Sequence, residues 1–406
     1  MKTQFACLAL AFVLLPPYLS AQWVQTSAST GHIIECLAVS GTNLFAGTAG
    51  GGVFLSTNSG ASWTTVNAGL TNTDVLSLAV SGTNLFAGTA GGGVFLSADS
   101  GTSWTAVNTG LTDTSVQSLV VSGTNLFAGS YHGDGVFLST DSGTSWTGSN
   151  MGLPTYTSVW SLAVNGVNLF AGTNCGAFRS SDSGTSWTAA STGLPTYNTV
   201  WSLAVIGVNL FAGTSDAGVF LSADSGTSWT AVNTGLTDNS VWDLAVSGTN
   251  LFAGTYLGVF LSTTNGTSWT AASTGLTNTC VTALAISGTN LFAGTYFAGI
   301  WRRPLSEMIT DVERRELLPP SFALEQNYPN PFNPNSNIRY QISEFRYIKL
   351  AVYDLLGREV AVLVNERKAP GKYEVNFDGS NLAGGVYFYR LQAGDFTQTK
   401  RLLLLK

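Results

Sequence analysis

Charge is what this sequence has least of. Lys, Arg, Asp and Glu together make up 10% of its 406 residues, against about 25% in an ordinary soluble domain. Between residues 22 and 304 there is no lysine, and three arginines (Arg179, Arg302, Arg303) stand against eleven acidic residues. A stretch so poor in cations excludes nucleic acid as a partner. The two histidines, His32 and His132, are far apart and have no clustered ligands around them. No metal site and no cofactor is therefore expected.

Cysteine is equally scarce. Beyond Cys7 there are only Cys36, Cys175 and Cys280; three cannot all pair, and their spacing indicates neither a disulfide framework nor a zinc site. Cys36 reads as a small core residue, and a bridge to Cys280 has no positive support. Long apolar runs are also missing. The longest, "FACLALAFVLL", is too short to span a membrane. With Lys2 ahead of it and "LSA" behind it, the run reads as a secretory signal over residues 1–21. The mature chain is then exported and has no transmembrane segment.

What the sequence does contain is Gly (46 residues), Trp (11) and 44% apolar residues, a composition of short strands and tight turns rather than of disorder. The pentapeptide "NLFAG" starts at Asn43, Asn84, Asn125, Asn168, Asn209, Asn250 and Asn290, seven copies 40 to 43 residues apart. After each of the first six come "GVFLS" or a variant and then S-x-D-x-G-x-x-W, whose tryptophans are Trp63, Trp104, Trp146, Trp187, Trp229 and Trp269. The seventh copy stops at "AGIWRRP", and its missing piece is at the other end: "QWVQTSASTG" puts Trp23 in register with the other six. Each unit reads as four short strands, the size of a propeller blade. A split copy favours a ring, which closes by pairing its first strand with its last three and so removes a sheet edge. Residues 22–304 are expected to form a seven-bladed β-propeller closed by the N-terminal strand.

The S-x-D-x-G-x-x-W pattern resembles the Asp-box (BNR) repeat of sialidases, sortilin-type receptors and related propellers. The resemblance implies a turn between the third and fourth strands of each blade. A turn suits the chemistry: Asp99, Asp141, Asp182 and Asp224 accept backbone N–H groups, Gly takes the positive φ, and the Trp packs between blades. Asn58 and Thr264 replace Asp in copies one and six, which is tolerable in a turn and fatal for a catalytic acid.

Beyond a polar linker, 305–320, the composition changes. Residues 305–406 carry thirteen Lys and Arg against twelve acids. The motifs "LEQNYPNPFNP", "LAVYDLLGREVAVLV", "GKYEVNFDGSNLAGGVYFYRL" and the terminal "KRLLLLK" resemble the type A sorting domain of the type IX secretion system. That resemblance covers 321–406. It implies an Ig-like β-sandwich, recognition by the secretion translocon, and a location outside a Gram-negative cell or on its outer-membrane surface, reached through the periplasm. Alternating strands such as "YIKLAVYDL" and "GVYFYRLQA" agree with an antiparallel sandwich.

Sialidases grip a carboxylate with three arginines, a set that one arginine between blades one and six cannot supply. Other glycosidases need two carboxylates, for which Glu35, Asp134, Asp216 and Asp243 are the candidates; no catalytic residue is assigned. The copies diverge in the loops after the second strand and between blades, and binding residues favour variable loops on a rigid scaffold. Eight residues before each NLFAG Asn stand Glu35, Leu76, Gln117, Trp160, Trp201, Trp242 and Thr282. The three consecutive tryptophans read either as a stacking platform for sugar rings or as packing between blades. Tyr156 and Tyr197 in the longer "GLPTY" loops, and Tyr131, His132, Asp134, Tyr256 and Tyr296 after the second strands, complete the candidate ligand site. The expected function is non-enzymatic binding of a glycan, polymer or surface protein. A polysaccharide-degrading enzyme and an assembly scaffold are the alternatives.

Overall fold

The computed structural model describes residues 22–27, 31–196, 198–309, 322–342, 346–368, 371–394 and 396–405. The expected signal, most of the expected linker and Tyr197 lie outside the described residues. The chain divides into two compact units, Met1–Met308 and Ile309–Lys406.

The first unit is built from seven four-stranded antiparallel sheets. Blade one is Ile34–Ser40, Asn43–Thr48, Gly52–Ser56 and Thr64–Thr65. Its NLFAG strand is buried along nearly its whole length, because a sheet stacked on both faces needs a continuous apolar run rather than alternation. Phe45 of that strand packs with Leu85, Phe95 and Trp104 of the next blade. The core therefore lies between successive blades.

The ring closes as the split repeat requires. Val24–Gln25 is the outer strand of the seventh sheet, pairing Val24 with Arg302 and Gln25 with Trp301. Trp23 is buried, and its indole N–H donates to the Ala272 carbonyl at 2.7 Å. The first strand of each blade packs against the first strands of both neighbours, the first against the seventh included.

Between the third and fourth strands, each carboxylate organises its own turn. Asp99 accepts the Ser103 amide and the Ser97 hydroxyl, both at 2.8 Å, and the Ser103 hydroxyl at 2.7 Å. The corresponding serine hydroxyls and amides hold Asp182 and Asp224 down to a pKa of about 2. Asn58 keeps the amide bond (Ser62 N, 2.8 Å), as does Thr264 (Ser268 N, 3.0 Å), so the fold survives both replacements. Each following tryptophan wedges between blades: the indoles of Trp104, Trp146, Trp187, Trp229 and Trp269 all donate to a backbone carbonyl of the preceding blade at 2.7 Å. Trp63 is less buried and donates to Thr26 Oγ1 at 3.2 Å. The wedge requires a glycine opposite, since a Cβ on Gly69 would lie 2.2 Å from the Trp104 carbonyl oxygen.

The second unit has two antiparallel sheets that fit an Ig-like sandwich. One contains Ala323–Leu324, Asn335–Ile342 and Gly371–Asp378; the other orders Glu359–Lys368, Arg346–Tyr353, Gly385–Ala393 and Phe396–Leu404. The "NYPNPFNP" run clasps the final strand. Phe332 is buried in the core, its amide donates to the Leu403 carbonyl, and its carbonyl accepts from Leu405. Asn330 accepts the Leu403 amide at 2.9 Å.

Candidate functional site

The candidate site begins as a backbone irregularity repeated seven times. In blade one Ile34 pairs with Thr48 and Cys36 with Gly47, so Glu35 is skipped. The same skip isolates Leu76, Gln117, Trp160, Trp201, Trp242 and Thr282. A β-bulge re-aims side chains, and it lets two consecutive residues point to the same side where a regular strand would alternate. All seven skipped residues accordingly line one central cavity of about 430 Å³, together with their immediate neighbours Cys36, Ser77, Ser118, Ser161, Ser202 and Asp243.

Three blades make its aromatic wall. Trp201 and Trp242 stack with ring centroids 4.5 Å apart and planes 28° from parallel. Trp160 takes the edge of Tyr131 at 5.3 Å, and Tyr131 in turn meets His132 edge-on at 5.3 Å. Trp242 is 38% exposed, whereas Trp160 and Trp201 are half-buried. The Trp160 indole N–H and the Ser202 hydroxyl are buried without a hydrogen-bond partner.

Beside the aromatic wall stand two acids, Asp243 of blade six and Glu35 of blade one. In blades two to four, Ser77, Ser118 and Ser161 donate to the first-strand carbonyl of the next blade at 3.2, 3.5 and 3.5 Å. Blade six has Asp243 in that slot, and its carboxylate accepts the Leu244 amide at 2.8 Å and the Leu284 amide at 2.7 Å. Burial outweighs these two bonds and pushes the Asp243 pKa up to about 7. Glu35 is also raised, by burial first and by the charge of Asp74 second. Burial and the neighbouring Glu35 push the Cys36 thiol up, and Cys36, Cys175 and Cys280 are all unpaired. Among the described residues, no Lys, Arg or His lines the cavity.

The other sequence candidates sit elsewhere. His132 is tied to Asp113, through its amide at 2.9 Å and its ring Nδ1 at 3.1 Å, and its ring stays exposed. Asp134 accepts the Thr112 hydroxyl at 2.7 Å and lines, with Tyr156, a second cavity of about 560 Å³. Tyr156 is 81% exposed and held at φ 63°, a strained conformation for an aromatic residue. Tyr256 and Tyr296 are exposed and line neither cavity, and Tyr296 meets Phe297 edge-on. Sequence reasoning passed over Phe297, which is 58% exposed at φ 60°. It also passed over Ser202, whose lack of a hydrogen-bond partner is visible only in three dimensions. Among the described residues no three His, Cys, Asp or Glu side chains gather, and no helix is long and apolar enough to cross a membrane.

Comparison with known proteins places both units. Residues 25–167 match the DUF6242 beta propeller domain, and residues 326–405 match the secretion system C-terminal sorting domain. No curated protein matches the chain significantly. Among solved structures, PorZ of Porphyromonas gingivalis, described as an essential bacterial surface component of the type-IX secretion system, is 15% identical with a TM-score of 0.54. That match covers 91% of this chain and 59% of PorZ. YCF48 bound to D1 peptide is 13% identical, with a TM-score of 0.57, over 71% of this chain and 98% of its own. The GH74 xyloglucanase from Xanthomonas campestris is 15% identical, with a TM-score of 0.57, over 94% and 68%. At these identities the likeness is one of fold. The chain is a β-propeller protein with a secretion-system C-terminal sorting domain, exported by the type IX secretion system to the cell surface or the extracellular space.

Proposed function

We propose that this exported propeller is a non-enzymatic binding protein that takes its ligand at the aromatic rim of the central cavity. One observation carries the reading. The strands of the repeats are nearly identical, yet the bulge residue changes around the ring, and three consecutive bulges present tryptophan to the same cavity. Two of these indoles stack, leaving a flat apolar surface on which sugar rings or planar side chains can lie. Tyr131, His132, Asp134, Tyr156, Tyr256 and Tyr296 belong to the loops beyond the rim and would extend the contact.

The domain plan belongs to the same proposal. Residues 1–21 act as a signal peptide, 22–304 form the cargo propeller, 305–320 link, and 321–406 are read by the translocon. The S-x-D-x-G-x-x-W turns, structural in this reading, lie away from the binding face.

The test is a panel of oligosaccharides and peptides screened against the purified protein and its Trp201→Ala variant. Binding that disappears in the variant while thermal unfolding stays cooperative supports the rim; binding unchanged by the substitution removes it. A second reading, polysaccharide hydrolysis, is favoured by the presence of Glu35 and Asp243 in the same cavity and by the likeness to a xyloglucanase fold. Release of reducing ends from a polysaccharide, abolished by Asp243→Asn, would establish that reading instead. The likeness to PorZ favours a role in surface assembly; recovery of one dominant surface protein, with no glycan bound, would point there.

A further inference from the structure

We propose that the cavity recognises a positively charged side chain, arginine or lysine, presented by a protein partner. This rests on the binding reading above and names its ligand class.

The wall is continuous in chain order. Trp160, Trp201 and Trp242 of blades four to six lead to Asp243 on the same strand as Trp242, then to Thr282 of blade seven and Glu35 of blade one. Aromatic faces and carboxylates side by side form the combination that holds a guanidinium or ammonium: stacking on the ring, charge on the acids. No cation among the described residues answers the two acids, because none lines the cavity, and Arg179 is the one Lys or Arg between residues 22 and 301. Arg179 is engaged elsewhere, donating to Asn168 Oδ1 at 3.0 and 3.2 Å. Charge complementarity therefore points outward, to a cation supplied by a partner.

Ser202 is 5% exposed, and its hydroxyl, like the Trp160 indole N–H, is enclosed behind the cavity wall, so recognition falls to the indole faces and the two acids. A neutral sugar would use the indoles and leave the acids unanswered.

The titratable groups that face Asp243 are few. Blade one contributes Glu35 and Cys36; the adjoining inner strands of blades five and seven contribute Trp201, Ser202 and Thr282, none of which ionises in the accessible range. Binding of a cation therefore strengthens as Asp243 ionises, from mildly acidic to mildly alkaline pH.

The experiment is a tryptophan-fluorescence and calorimetric titration of the purified protein with a capped pentapeptide containing one arginine. The same peptide with citrulline, a neutral isostere, is the control, and both are run at about pH 5.5 and about pH 8. The expected result is saturable binding of the arginine peptide, about tenfold tighter than the citrulline peptide at the higher pH. Asp243→Ser, which restores the residue used by blades two to five, should weaken the arginine peptide and flatten its pH dependence. Equal affinities for arginine and citrulline peptides, both lost in Trp201→Ala, would overturn the cation and leave the rim intact. A neutral or amino-oligosaccharide that binds more tightly than the arginine peptide would overturn the protein partner. No saturation by either peptide at millimolar concentration would overturn the inference, and the screen with Trp201→Ala then decides the rim independently.

Discussion

Replacing Trp23 by alanine tests whether the first strand truly closes the ring. Trp23 is 3% exposed and bonds through its indole to Ala272 at 2.7 Å, much as Trp104, 4% exposed, bonds to Val66 at 2.7 Å in mid-ring. Emptying a buried tryptophan site costs about 3–5 kcal/mol, and the Ala272 carbonyl would lose a partner as well. For a unit of this size that corresponds to a fall in Tm on the order of 10 °C. Calorimetry on Trp23→Ala and Trp104→Ala should give matching losses. Trp63→Ala, at a less buried site with a longer indole bond of 3.2 Å, should lose less. A Trp23→Ala shift no larger than that of a surface substitution, within about 0.5 kcal/mol, would show the N-terminal strand to be an appendage and refute the closure.

Three further outcomes follow from the geometry. Asp243 has a pKa raised by burial from 3.8 to about 7, so the folded protein holds the proton more tightly than the unfolded chain. Stability relative to Asp243→Ser should therefore fall as pH rises from about 4 to 7, by on the order of 2 kcal/mol once partial access to the cavity is allowed for; parallel curves for the two proteins would contradict this. Ser100 is held at φ 58°, and Asn265 fills the same slot in blade six at φ 55°; Ser100→Asn should raise stability by about 0.5–1 kcal/mol in chemical denaturation, and a decrease would show that the hydroxyl matters more than the backbone. Phe332→Ala removes a side chain that is 2% exposed in the core of the second unit, at a cost of about 3–5 kcal/mol; the protein should fail to reach the surface, which fractionation of cells would show.

The ring was legible in the sequence because a repeat reports its own geometry. Seven NLFAG copies give seven blades, and the displaced Trp23 gives the closure. The turns were legible because Ser, Asp, Gly and Trp recur at one fixed spacing, and Asn58 and Thr264 marked the Asp as replaceable. The orientation of the bulge residues was not legible. Simple alternation places Trp242 and Asp243 on opposite faces of their strand, and only the bulge, in which Trp242 is skipped between Val241 and Asp243, turns both inward. The left-handed serines after each turn Asp were equally hidden, since serine has no sequence bias toward that conformation. The stack of Trp201 on Trp242 depends on neighbouring blades bringing their bulges level, which no single repeat encodes.

The central claim can be tested most directly by ¹⁹F NMR on protein labelled with 5-fluorotryptophan, titrated with the arginine pentapeptide and assigned by single Trp→Phe substitutions. The Trp160, Trp201 and Trp242 resonances should shift together and saturate, while those of Trp104, Trp146, Trp187, Trp229 and Trp269 stay fixed. Saturable shifts confined to the inter-blade tryptophans, or none in the three rim residues with any ligand that binds, would contradict it.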